Sequence, residues 1–203
     1  MQQPIKTEPG STPGLTAAKR PAIFLDRDGV LNVDKGYAFS VSDLLIPADV
    51  PSTLAALKKL GFLLVVISNQ SGIARGYYTF SDVHVFHDAL QMELNRIAAV
   101  KVDTFFICPH HPDGIIEELR QTCQCRKPGT KMIFDAVRDF NIDLEKSYLV
   151  GDKPTDIECA IRAGIPGIQI VAEAKYGRHP NATAYINTFS EILSVISIKS
   201  SAN

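Results

Sequence analysis

The feature that most constrains this chain is an alternation. Short apolar runs stop abruptly at polar clusters, and a longer amphipathic stretch follows each one. Residues 22–25 halt at Asp26, residues 62–67 at Ser68-Asn69-Gln70, and residues 147–150 at Gly151-Asp152; 104–107 and 167–171 are further runs of this kind. Runs that short, with no polar face, read as buried parallel strands. Between them the spacing predicts helices over 51–60, 81–100, 130–140 and 154–163, with a last one starting near Ser190. Pro51 suits a first turn, and Gly61 and Gly164 suit stops. In the long second helix Val85, Ala89, Met92 and Ile97 are expected to face inward; in the third, Ile133, Phe134 and Val137. Strands alternating with helices imply right-handed crossovers, hence an α/β, Rossmann-like parallel sheet with helices on both faces. Ligands in such folds bind outside the carboxyl ends of the strands, where the polar clusters fall.

Residues 1–20, rich in Pro, Gly, Ser and Thr without a hydrophobic period, read as a disordered tail. The remaining 21–203 read as a single domain. The 203 residues carry a formal net charge of −1. That balance gives no broad attraction to nucleic acid or to a membrane surface, so any anion site must be local. No apolar run approaches the roughly 20 residues that span a bilayer, and the N-terminus lacks a secretory apolar core. A cytoplasmic monomer is the expectation.

Of four cysteines, three crowd into one segment: Cys108-x-His110, with His111 adjacent, and then Cys123-x-Cys125. Three thiolates and one imidazole make a closed tetrahedral set, which suits structural zinc better than a disulfide. Cys159 reads as a core residue. His84, His87 and His179 show no ligand spacing.

Asp26-Arg27-Asp28 puts two carboxylates just past a strand end. Two such anions are costly together unless a cation lies between them, and a Mg²⁺ ion that keeps several waters fits. Taken singly, each motif is commonplace: a polar turn here, a solvated basic turn at Arg126-Lys127, a helix cap at Gly151-Asp152-Lys153 with Asp156. Together with Ser68-Asn69-Gln70, at strand ends and in this order, they leave little room for coincidence.

DRDGV, SNQSG, the lysine of RKPG, and GDKPTD, in that order, resemble the four motifs of haloacid-dehalogenase-like phosphatases. DRDGVLN, Gly36-Tyr37, SNQSGIARG, CPHHPDG, CQCRKPG and VGDKPTD are similar, over 22–170, to the D-glycero-D-manno-heptose-1,7-bisphosphate 7-phosphatase family. The resemblance implies a phosphatase acting on a small sugar bisphosphate, with a product bound for lipopolysaccharide or surface-glycan assembly. It implies Asp26 as nucleophile, Asp28 as general acid and then base, and Ser68 and Lys127 on the phosphoryl oxygens. Mg²⁺ would be held by Asp26, the Asp28 carbonyl and Asp152. Arg27, Asp34, Lys35, Gly36, Tyr37, Asn69, Gln70, Ser71 and Lys153 would contact substrate, and Arg126 its second phosphate. The resemblance also selects His110 over His111 as the zinc ligand beside Cys108, Cys123 and Cys125. Ser68 stands where the family often has Thr and keeps the hydroxyl. Neither the stretch from Asp26 to Ser68 nor that from Ser68 to Lys127 has room for a large cap domain, so the zinc loop would wall the site. Histidinol phosphatases carry similar motifs and form the alternative. A phospho-aspartate signalling module is the alternative of another class, against which stand Asp28 and the cysteine loop.

Overall fold

The computed structural model describes residues 18–172 and 176–200. Residues 1–17, most of the expected tail, lie outside the described residues; Arg20, the last residue assigned to that tail, instead opens the first strand.

Six parallel strands form one sheet: β1 (Arg20–Leu25), β2 (Leu63–Asn69), β3 (Thr104–Cys108), β4 (Ile142–Gly151), β5 (Gly167–Ile170) and β6 (Ala184–Ile186), in the order β3-β2-β1-β4-β5-β6. The helices are α1 (Val50–Lys59), α2 (Phe80–Ala98), α3 (Lys131–Phe140), α4 (Pro154–Ala163) and α5 (Ile192–Ser200). Strand side chains alternate between faces. Ile23, Leu25, Leu64 and Val66 therefore enter one core with Leu54, Leu57, Leu90, Leu94 and Ile192 of α1, α2 and α5. Ala22, Phe24, Val65 and Ile67 enter the other with Met132, Ile133, Cys159 and Ala160 of α3 and α4. Burial on both faces is why these strands read as unbroken apolar runs.

Several expectations are corrected. In α2 the inward stripe is Val83, Phe86, His87, Leu90 and Leu94, while Val85, Met92 and Ile97 are exposed and Ala89 is half-buried. The helix has apolar residues on two faces, and the face with the larger side chains docks. Its start is capped by Thr79, whose side chain exchanges hydrogen bonds with Asp82. In α3, Met132, Ile133 and Ala136 are buried, Phe134 is exposed and Val137 only half-buried. β4 begins at Ile142, well before the expected 147, because its first residues pair with Arg20 and Pro21 across a register shift. β6 was not expected.

The chain runs outward through β1, β2 and β3, then returns to place β4 on the other side of β1. That reversal opens a crevice at the carboxyl ends of β1 and β4. Leu25 pairs with Val66 and with Val150, so Asp26, Ser68 and Asp152 share one edge.

Candidate active site

β1 delivers Asp26 to that edge. Its N–H donates to the Val150 carbonyl at 3.0 Å, fixing the strand end to β4. Asp26 Oδ1 accepts from the Arg27 N–H at 2.8 Å and lies 2.9 Å from Lys127 Nζ. Lys127 is only 2% exposed. Its ammonium donates to the Ile67 carbonyl at 2.8 Å and pairs with Asp26 and with Asp156 Oδ1 at 2.7 Å, three acceptors for three protons. Asn69 brackets its backbone: the side-chain Nδ2 donates to the Lys127 carbonyl at 3.1 Å and Oδ1 accepts from the Lys127 N–H at 2.9 Å.

Asp156 went unassigned in the sequence. It does cap α4, accepting from the Lys153 N–H at 3.0 Å through Oδ2, but its other oxygen holds Lys127. The signal was a second acid one helical turn after Asp152. Gly151 is required beside it, since a Cβ there would sit 2.3 Å from the Asp156 carboxylate.

Asp28 is held from behind. Its carboxylate accepts from Arg27 Nε at 3.1 Å and Nη2 at 2.9 Å, from Asn32 Nδ2 at 2.9 Å and from Gln70 Nε2 at 3.2 Å. The Arg27 and Gln70 side chains are turned toward Asp28. Arg27 is fully buried, lies over the Phe86 ring at 4.4 Å and donates to the Ala38 carbonyl. Gln70, also buried, accepts from the Tyr78 hydroxyl at 2.7 Å. Both give Asp28 the donors that a largely buried carboxylate requires. Asn32 and Tyr78 carried no sequence signal for this. Gln70 Nε2 also donates to Ser68 Oγ at 2.8 Å, which leaves the Ser68 hydroxyl proton to point elsewhere.

Lys153 Nζ donates to the Asp28 carbonyl at 3.3 Å and lies 3.6 Å from Asp26 Oδ2, 3.2 Å from Asp34 Oδ2 and 3.4 Å from Asp152 Oδ1. Gly29 has φ of +91° and passes so close to Asp152 that a Cβ would meet Oδ2 at 2.4 Å. Lys35 and Tyr37 are exposed, Gly36 turns with φ of +95° over the Asp34 carboxylate, and Ser71 is half-buried. The Tyr37 ring meets Tyr77 edge-on at 4.7 Å. A cavity of about 240 Å³ adjoins the cluster, with Val30, Val33, Val171 and Phe189 in its walls and Asp34 and Asp152 at its edge.

Charge balance shows what this cluster takes. Asp26, Asp34, Asp152 and Asp156 face two ammonium groups, Lys127 and Lys153. Burial alone would raise the pKa of Asp26, but Lys127 and Lys153 hold it below the usual carboxylate value. Burial likewise opposes the charge on Lys127, yet Asp156 and Asp26 keep its pKa above normal. Asp152 is left with the surplus: burial pushes it up to about 7, and its Oδ1 is buried without a hydrogen bond. Carboxylate oxygens of Asp26, Asp152 and Asp156 lie within 4.8 Å of one another. An all-oxygen set with net negative charge fits a hard divalent cation.

The cysteine loop forms a second cluster. Cys108 Sγ lies 3.4 Å from Cys123 Sγ, 3.1 Å from Cys125 Sγ and 3.7 Å from His110 Nδ1; Cys125 Sγ lies 3.3 Å from both His110 Nδ1 and Cys123 Sγ. All three thiols are free. The separations exceed the S–S bond of about 2 Å and approach the edges, about 3.5–3.8 Å, of a tetrahedron around one ion. The four residues could hold a metal ion. His111 is not in the set; it faces Arg75. Hydrogen bonding to Cys108 lowers Cys125 to about 5 against the effect of burial, while the Cys125 hydrogen bond and burial push Cys108 up and burial pushes Cys123 up, so one thiol of the set is favoured as a thiolate. Arg126, half-buried, directly links Cys125 to Lys127.

A parallel sheet with this cluster at its carboxyl edge defines a haloacid-dehalogenase-like hydrolase, and the family model described as HAD-hyrolase-like matches residues 124–190. The D-glycero-beta-D-manno-heptose-1,7-bisphosphate 7-phosphatase of Escherichia coli K12 is 43% identical over 145 residues, covering 71% of this chain and 75% of its own length. That of Salmonella typhi is 40% identical over 185 residues, covering 87% and 95%. The crystal structure of the D,D-heptose 1,7-bisphosphate phosphatase of B. bronchiseptica, complexed with magnesium and phosphate, superposes with a TM-score of 0.76 at 28% identity, covering 88% of this chain and 99% of its own. The chain belongs to the heptose-1,7-bisphosphate 7-phosphatase family of haloacid-dehalogenase-like phosphatases.

Proposed function

We propose that this chain is a Mg²⁺-dependent phosphatase that removes the 7-phosphate of D-glycero-D-manno-heptose 1,7-bisphosphate through a phospho-aspartate on Asp26. The observation that carries the reading is the buried Asp26–Lys127 pair at the β1 edge, in a chain whose 43%-identical relative is named for this reaction.

Phosphate monoesters hydrolyse extremely slowly unaided, and a carboxylate nucleophile divides the reaction into two easier displacements. In the first, an Asp26 oxygen bonds to phosphorus while the bond to the sugar oxygen breaks, and Asp28 gives that oxygen a proton. In the second, Asp28 takes a proton from the water that attacks the phospho-aspartate. Lys127 and the Ser68 hydroxyl meet charge spreading over the equatorial oxygens. Asp156 keeps Lys127 protonated and aimed. Mg²⁺ would be held by Asp26, the Asp28 carbonyl and Asp152; when bound it supplies charge neutralisation between nucleophile and phosphate and in-line alignment. Asp34, Lys35, Gly36, Tyr37, Ser71 and Lys153 line the sugar side, and Arg126 takes the second phosphate. Asn69 acts through Lys127 by clamping its backbone. The cysteine cluster would hold zinc as a closed structural site, with every position filled by protein. One phosphatase domain over 21–203, acting as a cytoplasmic monomer on a small sugar bisphosphate, would supply lipopolysaccharide or surface-glycan synthesis.

The test is phosphate release with Mg²⁺ from both anomers of the bisphosphate, with histidinol phosphate alongside. Preference for one heptose anomer, lost by about 10⁴-fold or more in Asp26→Asn, is the expected result. Turnover surviving in that variant rules out the nucleophile, and turnover of histidinol phosphate alone moves the substrate. Asp28→Asn should leave phosphoprotein that persists after acid quenching; full turnover in that variant removes Asp28 from the mechanism.

A further inference from the structure

Tyr78, between β2 and α2, is joined to two of the reacting groups through a single amide. It is 6% exposed, and its hydroxyl donates to Gln70 Oε1 at 2.7 Å. Gln70 Nε2, at the other end of that amide, donates to Asp28 Oδ2 at 3.2 Å and to Ser68 Oγ at 2.8 Å. An ionised carboxylate can only accept, so the end of the amide facing Asp28 is the NH₂ and the end facing the phenol is the carbonyl. Gln70 is itself buried, so both ends need these partners.

The phenol ring is firmly held. Phe39 stacks on it with centroids 5.1 Å apart and planes 19° from parallel. A Cβ on Gly72 would collide with the ring, so the backbone there lies directly against it. The Tyr77 N–H donates to the Gly72 carbonyl at 2.9 Å and closes the turn that brings the two together. On Asp28, Arg27 and Asn32 supply three hydrogen bonds to Oδ1, whereas Oδ2 takes one from Arg27 and one from Gln70. Oδ2 is the less engaged oxygen and the one suited to carry a proton. If the Gln70 amide turned over, Oε1 would face that proton, and the Ser68 hydroxyl proton as well, and would hold both back from substrate. It would also leave the buried phenolic proton of Tyr78 without its acceptor.

We propose that Tyr78 is a positioning residue: its hydroxyl holds the Gln70 amide with the NH₂ toward Asp28 and Ser68, so that the Asp28 proton goes to the leaving oxygen and not to Gln70. The proposal rests on the phosphatase reading above and adds to it the residue that sets the direction of proton delivery. No atom of Tyr78 enters the reaction. In the first displacement the proton passes from Asp28 Oδ2 to the sugar oxygen as its bond to phosphorus breaks. Gln70, kept with its donor end forward, aims no lone pair at that proton.

The test is Tyr78→Phe, which keeps the ring and its packing and removes only the hydroxyl. It compares kcat/KM for D-glycero-D-manno-heptose 1,7-bisphosphate, whose alkoxide leaving group needs a proton, with kcat/KM for p-nitrophenyl phosphate, whose phenolate departs without one. The ratio of the first to the second should fall about 10-fold in the variant, the scale of one hydrogen bond. Disturbed packing, or a misdirected Ser68 hydroxyl alone, lowers both substrates together, so an unchanged ratio overturns the proposal. If the wild type does not hydrolyse both esters, the substrate reading fails by itself, and neutron diffraction from crystals held at low pH decides the role of Tyr78. Gln70 amide deuterons directed at Asp28 in the wild type and turned away in Tyr78→Phe sustain the proposal; the same orientation in both proteins overturns it.

Discussion

Two clusters in this chain face the same problem and solve it differently. The catalytic cluster must keep like charges together in a dry place. It does so with secondary structure: Asp26, Ser68 and Asp152 hang from the ends of three adjacent strands, and Lys127 and Asp156 are pinned by backbone and by each other. Cys108 ends β3, but the rest of the cysteine cluster sits on a loop with little regular structure of its own, apart from a short 3₁₀ turn at Glu117–Leu119. There the four residues that could hold a metal ion lie together and would supply the cross-link. Where the sheet supplies rigidity, charge can be left unbalanced for chemistry; where the loop must be made rigid, a bound metal would consume every ligand position in doing so. Arg126 and Lys127 belong to both, because they follow Cys125 directly.

The comparison breaks most sharply at Asp156. Asp156→Asn leaves Lys127 with one counter-ion instead of two in a site that excludes water. Removing one partner of a buried pair costs about 3–5 kcal/mol, and the lysine loses its aim. Urea unfolding should show that loss of stability, and kcat should drop by about 10³-fold, the scale of removing one stabilising group from a transition state. Chelation of the thiolate-bound metal should be no easier in this variant. A variant as stable as wild type would mean that Asp156 serves only as a helix cap.

The next effect comes from the other side. Cys125→Ser removes one of the four residues that could hold a metal ion, and the thiol of the set that is favoured as a thiolate. Metal content should fall, and activity with it, by about 10- to 100-fold, the scale of disturbing the support of a metal site, because Arg126 and Lys127 lose their anchor. Added Mg²⁺ should not restore it. Unaltered kcat in protein shown to lack the thiolate-bound metal would separate the two regions and leave the loop without a positioning task.

The two regions also differed in how far the sequence disclosed them. The cysteine cluster was legible almost completely, since soft ligands at short spacing have few other uses. The strands were legible because burial on both faces erases polar alternation. In the catalytic cluster, groups at strand ends were readable, but those that position them were not. Arg27 and Gln70 look like solvent-facing polar residues in a motif, and only the fold shows them turned inward to serve Asp28. Asp156 looked like a cap because it is one; its second oxygen reaches a lysine nearly thirty residues away in the chain. The docking face of α2 is not legible from periodicity, because both candidate stripes are apolar and side-chain size decides between them.

The smallest effect follows from that same face. His87 stacks on Phe105 at 4.2 Å between ring centroids, and burial, reinforced by Arg27 and His84, lowers its pKa to about 3. An unfolded histidine takes a proton near pH 6.5. Below that pH the unfolded chain binds a proton that the folded chain refuses, so stability is fully present above 6.5 and is lost as pH falls toward 3. Between pH 7 and 5 this group should remove about 2 kcal/mol. His87→Phe keeps the ring stack and removes the proton site. Urea midpoints at both pH values should therefore fall further in the wild type than in His87→Phe. Both proteins carry the same cysteine cluster, so acid loss of its metal cancels in the difference. An equal fall in both would place the acid sensitivity in the thiolate loop instead, and make that loop, not the sheet beneath the catalytic edge, the first part of the molecule to yield.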